Sequence, residues 1–154
     1  MRAKTFLLMA GGTGGHVYPA LATAKMLQQR GDSVAWMGSR HGIEASVVTP
    51  AGIPFHGLSV SGLRGKGTST LLFAPFRLVV SLWQAFTIIR KVKPDCVLGM
   101  GGFASGPGGL AAKLLGKPLI IHEQNAIAGT ANKINYYFIK IIKYFFFKYF
   151  IIFI

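Results

Sequence analysis

GGTGGHVYP, the stretch Gly11–Pro19, directly follows the apolar run FLLMA at Phe6–Ala10. This order predicts a buried strand, a glycine turn, and a helix that begins near His16 to Pro19. Glycines allow positive φ and close approach of another molecule, and a helix N-terminus presents free N–H groups and a positive dipole end. The junction therefore predicts a phosphate or pyrophosphate site, with a tight turn that binds no ligand as the plainer alternative.

A second junction of the same kind lies downstream. The short apolar stretch Asp95–Met100 leads into GGFASGPGG at Gly101–Gly109 and then into the helical stretch Leu110–Leu115. Pro107 fits a first helical turn, because its missing N–H is not needed there. Ligands of open parallel sheets bind at the carboxyl ends of the strands, so the two glycine motifs predict one cleft lined from both sides.

Strands and helices alternate along the chain, which predicts an α/β fold: a Rossmann-like, doubly wound domain with a mainly parallel sheet. The predicted strands are Thr5–Ala10, Ser33–Met37, Phe55–Val60, Cys96–Met100 and Leu119–His122. The predicted helices are Tyr18–Gln29, Gly42–Pro50, Leu71–Lys91 and Gly108–Leu115, with a further start near Ala128.

The charge balance restricts the partners. The 154 residues include 17 Lys and Arg against 4 Asp and Glu, a formal net charge of +13. Such an excess suits nucleic acid, acidic lipid surfaces or phosphorylated substrates. Nucleic acid is disfavoured, because the basic residues form no dense run and no nucleic-acid-binding motif is present.

The cysteine, the N-terminal apolar run and the acidic residues bear on cellular location and cofactors. The single cysteine, Cys96, allows no disulfide within the chain, and the apolar run before Gly11 is too short for a signal peptide, so we predict a cytoplasmic protein. The four acidic residues are scattered and include no Asp-x-Asp pair, so neither a metal nor another cofactor is expected. These residues are Asp32, Glu44, Asp95 and Glu123.

The helix predicted over Leu71–Lys91 is unusually apolar. Its few polar residues, Arg77, Ser81, Gln84 and Thr87, are spaced to share one stripe, and basic residues lie on both sides of the segment. We interpret it as a helix on an anionic membrane surface, with a fully buried helix and a transmembrane helix as alternatives. The predicted membrane patch consists of Leu72, Phe73, Phe76, Trp83 and Phe86.

Two further segments are distinctive: the loop before this helix and the tail at the chain end. The basic glycine loop Ser61–Ser69 is either a plain surface connection or a holder of an acidic or pyrophosphate-bearing substrate through Arg64 and Lys66. Residues 134–154 contain only Ile, Asn, Tyr, Phe and Lys, which all have codons built from A and T alone. We interpret this low-complexity tail as non-native to the family, read from an AT-only stretch, with a membrane anchor as the alternative.

Three ordered motifs together resemble one family. They are Gly11–Ala20, Gly99–Pro107 and His122–Asn125 (HEQN). They are similar to the N-terminal half of the MurG family within glycosyltransferase family 28, the UDP-N-acetylglucosamine–lipid I N-acetylglucosaminyltransferases of bacterial peptidoglycan synthesis. The resemblance covers about residues 1–133 and implies one half of a GT-B fold, in which two Rossmann-like domains face each other across a cleft.

The resemblance also implies different binding roles for the two domains. The N-terminal domain of the family holds the lipid-linked acceptor and the membrane patch, and the C-terminal domain holds most of the UDP-GlcNAc. This chain stops resembling the family before that second domain, so its activity needs the missing domain or a partner subunit. The implied location is peripheral, on the cytoplasmic face of the bacterial inner membrane.

The family chemistry implied for this chain is an inverting transfer, in which an acceptor hydroxyl attacks the anomeric carbon of UDP-GlcNAc and UDP leaves. His16 is the candidate base, with helix capping or binding of acceptor phosphate as alternatives. The residues implied to approach the donor are Thr13, Gly14, Gly15 and Asn125. The residues implied around the acceptor pyrophosphate are Gly101, Gly102 and Ser105, with Phe103 replacing a tyrosine that is common in the family.

The sequence also allows three other interpretations. A dinucleotide-binding enzyme is suggested by G-x-G-x-x-A at Gly99–Ala104, but the second predicted strand is not followed by an acidic residue for a ribose. A non-catalytic, membrane-associated half that binds the acceptor would need a partner subunit. An inactive gene fragment is the third.

Overall fold

The computed structural model describes residues 2–59 and 74–123. Several predicted features lie outside these ranges and stay predictions. They are the loop Ser61–Ser69 with Arg64 and Lys66, the patch residues Leu72 and Phe73, Asn125, the helix start near Ala128, and the tail 134–154.

Strands and helices alternate in the order that the sequence predicts. The strands are β1 (Thr5–Met9), β2 (Ser33–Ser39), β3 (Phe55–Leu58), β4 (Cys96–Gly99) and β5 (Leu119–Ile121). The helices are α1 (Gly14–Gln29), α2 (Ile43–Val48), α3 (Ala74–Val92) and α4 (Ser105–Leu114).

The five strands form one parallel sheet in the order β3-β2-β1-β4-β5. The last residue of β1, Met9, pairs with Met37 of β2 and with Gly99 of β4, so these three strands end at the same edge. The chain order reverses between β1 and β4, which makes that edge the topological switch point where ligands of such sheets bind. The predicted doubly wound α/β class is confirmed.

The sheet is covered on both faces. Side chains of a strand alternate between faces, so Leu7 and Met9 of β1 face α3 and α4, whereas Leu8 faces α1 and α2. Leu7, Leu8 and Met9 are all fully buried. This double burial explains why the β1 sequence is a continuous apolar run rather than an alternating one.

The predicted start of the first helix is wrong. Helix α1 begins at Gly14, because the carbonyl of Thr13 already accepts hydrogen bonds from the N–H groups of His16 and Val17, each at 3.1 Å. Pro19 therefore lies inside the helix rather than in its first position. The prediction for Pro107 is confirmed, because it is the third residue of α4.

Helix α3 buries one side and exposes another. Ser81, Ala85 and Ile89 are buried against the sheet, and the Ser81 hydroxyl donates to the Arg77 carbonyl at 2.7 Å. The polar stripe of the sequence therefore does not coincide with the exposed side of the helix. Among residues 2–59 and 74–123, no helix has both the length and the apolar character needed to cross a membrane.

Candidate functional site at the carboxyl edge of the sheet

The β1–α1 loop, residues 10–13, joins the central strand to the first helix. Gly12 has φ of +87°, a conformation that favours glycine, and Thr13 is extended. The Thr13 side chain makes no capping hydrogen bond, and the first turn of α1 carries no acidic residue. Gly12, Thr13 and Gly15 are exposed, so an anion can reach this helix end.

The β4–α4 loop, residues 100–104, has the same role on the neighbouring strand. Gly101 and Gly102 have φ of +98° and +89°. Ser105 is fully buried, and its hydroxyl lies 3.1 Å from the Met9 carbonyl and 3.0 Å from the Gly101 carbonyl. Its hydroxyl thus ties the loop to the end of β1.

The two loops touch each other. A β-carbon at Gly102 would overlap the main chain of Gly11, and one at Gly101 would overlap the imidazole of His16. The Met100 N–H also donates to the Met9 carbonyl at 2.8 Å. Glycine is therefore required at both positions for contact as well as for backbone conformation.

The residues predicted for the donor and the acceptor converge on this edge from two directions. His16 is half-buried at the point where the loops meet, and Phe103 is 49% exposed with its ring next to Gly12. His122 and Glu123 follow β5 at the same edge, and the His122 N–H donates to the Gly99 carbonyl at 2.8 Å. The structure thus juxtaposes Thr13, Gly14, Gly15, His16, Gly101, Gly102, Phe103 and Ser105.

Comparison with known proteins now identifies the domain. The glycosyltransferase family 28 N-terminal domain matches residues 6–143. The chain belongs to this family. The predicted resemblance is confirmed, and so is the fold as one half of a GT-B glycosyltransferase.

Individual relatives of this family 28 domain support the same family assignment. A UDP-N-acetylglucosamine–N-acetylmuramyl-(pentapeptide) pyrophosphoryl-undecaprenol N-acetylglucosamine transferase of Hahella chejuensis is 61% identical over 133 residues, which are 86% of this chain and 37% of the relative. The transferase of the same name from Stutzerimonas stutzeri is 61% identical over 131 residues, covering 85% and 37%. The chain therefore spans little more than a third of these relatives.

Solved structures give the same result. The crystal structure of Acinetobacter baumannii MurG superposes with a TM-score of 0.79 at 42% identity, covering 90% of this chain and 40% of that one. The calicheamicin glycosyltransferase CalG4 superposes with a TM-score of 0.62 at 24% identity, covering 84% and 32%, which supports the fold alone.

One polar residue beside the site was not predicted to take part in it. Glu44 of α2 is fully buried and accepts hydrogen bonds from main-chain N–H groups of Ser39 and Gly12. The sequence presents it only as one of four scattered acidic residues. The one sequence signal is that Gly38 and Gly42 closely precede Glu44. Only the structure shows that these glycines make room for its side chain. Among the described residues, no group of His, Cys, Asp and Glu side chains could hold a metal ion.

The predicted membrane patch is only partly described. Phe76 and Trp83 are 69% and 68% exposed on α3, and Leu78 and Val79 extend this apolar surface. Phe86 is half-buried instead: it packs against the core, stacks on Trp83, and has the Arg90 guanidinium 4.4 Å from its ring centre.

A groove of about 470 Å³ lies between β3 and α3 in this family 28 domain. Its lining residues are Arg40, Ala45, Phe55, His56, Gly57, Gln84, Thr87 and Ile88. Burial of His56 in this groove lowers the pKa of its imidazole below the ordinary value of 6.5, and the nearby Lys91 lowers it further.

The lowered pKa of His56 predicts a pH-dependent stability. The folded state favours the neutral imidazole, so protonation favours the unfolded chain. The stabilising contribution is complete above pH 6.5 and is lost as the pH falls through the folded-state pKa. Urea unfolding between pH 7.5 and 5 should therefore show a decline that His56→Gln reduces. His41→Gln, at an exposed histidine, should leave the decline unchanged, and equal slopes in all three proteins would contradict the assignment.

Proposed function

We propose that this chain is the acceptor-binding half of an inverting N-acetylglucosaminyltransferase of peptidoglycan synthesis. The donor is UDP-GlcNAc, and the acceptor is undecaprenyl-pyrophosphoryl-MurNAc-pentapeptide, lipid I, which becomes lipid II. The observation that carries the proposal is the contact between two glycine loops at the switch point of the sheet, where His16 lies against Gly101. The names of the relatives support the choice of substrates.

In the proposed reaction, a hydroxyl of the muramoyl group attacks the anomeric carbon of GlcNAc. The new glycosidic C–O bond forms as the bond to UDP breaks, and UDP leaves with the electron pair. His16 takes the hydroxyl proton. Thr13, Gly14, Gly15 and Asn125 approach the donor, while Gly101, Gly102 and Phe103 lie along the acceptor pyrophosphate, together with Arg64 and Lys66.

The proposed role of Ser105 is structural, unlike that of the other loop residues. Its hydroxyl lies between two main-chain carbonyls inside the protein, so we assign it to fixing the β4–α4 loop rather than to contacting the pyrophosphate. The anion instead meets main-chain N–H groups and the positive end of a helix dipole.

A chimera tests this function directly. Residues 1–133 of this chain, joined to the remainder of the Hahella chejuensis transferase, should transfer GlcNAc from UDP-GlcNAc to a muramyl-pyrophosphoryl lipid. The 61% identity across the joined region makes a matching domain interface achievable. A folded chimera without transfer, beside an active parental enzyme, would refute the proposal. Activity of the two halves mixed as separate chains would identify this chain as a subunit that needs a partner.

We further propose that α3 holds the domain on the cytoplasmic face of the inner membrane. The exposed Phe76, Val79 and Trp83 would enter the lipid interface, and the net charge of +13 would attract anionic head groups. Acidic lipid is thus the favoured charged partner, and nucleic acid is not.

Removing the two exposed aromatic rings tests this attachment. Phe76→Ser with Trp83→Ser should weaken binding to phosphatidylglycerol vesicles by about 100-fold or more, since each of the two buried apolar side chains contributes about 1.5–3 kcal/mol. Co-sedimentation measures the loss. Leu114→Ser is the matched control, because Leu114 is 63% exposed on a different helix. An equal loss in the control would show that binding is not specific to α3.

A further inference from the structure

The unexplained group nearest to the site is the carboxylate of Glu44. It lies in the first turn of α2 with none of its surface exposed. Oε1 accepts a hydrogen bond from the Ser39 N–H at 2.7 Å, and Oε2 accepts one from the Gly12 N–H at 3.2 Å. The side chain therefore joins the end of β2 to the β1–α1 loop.

Three glycines make room for this carboxylate. A β-carbon at Gly11 or at Gly42 would overlap its oxygen atoms, and one at Gly38 would lie 2.6 Å from its Cγ. A buried carboxylate is costly unless hydrogen bonds satisfy it, and an apolar replacement would leave two main-chain donors without their acceptor. The glycines and the donors together form a specific seat for Glu44.

The opposite side of the same loop is held by the β4–α4 loop. Gly102 contacts the main chain of Gly11, while Glu44 holds the adjacent Gly12. The next residue, Thr13, carries the first carbonyl acceptor of α1, which receives the His16 N–H. The position of Gly12 therefore determines where Thr13 and His16 lie relative to Gly101.

We propose that Glu44 is a positioning residue for glycosyl transfer, which fixes the β1–α1 loop so that Thr13 and His16 face the bound substrates. This inference rests on the proposed function for its catalytic consequence. Its structural part, that the carboxylate fixes the loop, stands independently of that function.

The structural part is tested by NMR on the 154-residue chain. The Gly12 amide should be protected against hydrogen exchange in the unaltered protein, although Gly12 itself is exposed. In Glu44→Gln, the amide NH₂ faces a main-chain donor, so we expect shifted Gly12 and Thr13 amides, a shifted His16 imidazole, and lost protection of Gly12. An unprotected Gly12 amide in the unaltered chain would overturn the proposal even if the variant failed to fold.

Asp95→Asn is the matched control. The Asp95 carboxylate also accepts a main-chain hydrogen bond, from the Thr5 N–H at 2.8 Å, but at the amino end of β1. Its replacement should shift resonances around Thr5 and leave Gly12, Thr13 and His16 unchanged. Matching changes at His16 in both variants would show a general loss of stability and would overturn the positioning role.

The catalytic part is tested in the chimera. Glu44→Gln should lower kcat by about 10- to 100-fold with a smaller change in KM, because a misplacement of about 1 Å can cost about 100-fold in rate. Asp95→Asn should keep kcat within about twofold, since it acts at the opposite edge. An unchanged kcat in Glu44→Gln would overturn the positioning role. A chimera inactive without either substitution would refute the proposed function alone, and the NMR comparison would still decide the role of Glu44.

Discussion

Gly102→Ala should lower the free energy of unfolding of this chain by about 3 kcal/mol or more. Two costs add. Alanine is strained at φ of +89°, and its methyl group would overlap the main-chain atoms of Gly11, which cannot move without shifting β1. Urea denaturation followed by circular dichroism measures the change.

Gly31→Ala separates these two costs. Gly31 has a nearly equal φ of +84°, but no atom lies within 4 Å of an added β-carbon. It should therefore lose only the strain, about 1–2 kcal/mol. Equal losses at both positions would contradict the close contact between the β1–α1 and β4–α4 loops.

The second large effect concerns His16. In the chimera, His16→Gln should lower kcat by about 10²- to 10⁴-fold, the usual contribution of a general base, with little change in KM. His41→Gln is the control, because His41 is exposed between β2 and α2. Steady-state transfer with both substrates varied separates kcat from KM.

The outcome also decides between the interpretations of His16. A rise in KM for the lipid-linked acceptor at constant kcat would identify His16 as a phosphate ligand instead of a base. Unchanged kinetics with lower stability would leave it a structural residue of the first turn of α1.

Much of this fold is predictable from the sequence because its signals are local. Parallel strands buried on both faces read as apolar runs, and Phe6–Met9 is such a run between a basic start and a glycine motif. The glycine motifs locate the carboxyl edge because strand, turn and helix follow each other within a few residues. The strand ends still differ by up to two residues, as β2 continues to Ser39 beyond the predicted Met37.

The features that could not be predicted depend on distant contacts. Glu44 lies 32 positions from Gly12, whose N–H donates a hydrogen bond to its carboxylate, so the sequence around Glu44 does not by itself indicate its burial. The prediction for Ser81 was wrong for the same reason. Its spacing grouped it with polar residues on one stripe of the helix, whereas packing against the sheet buries it.

The acidic side chains of this basic domain suggest how its sequence can vary. Asp32, Glu44 and Asp95 each accept a hydrogen bond from the backbone of another segment, at Lys4, at Gly12 and Ser39, and at Thr5. Three of the chain's four carboxylates are thus committed to joining strands and loops. Homologues should therefore adjust their surface charge by gaining or losing lysines, while these carboxylates stay in place.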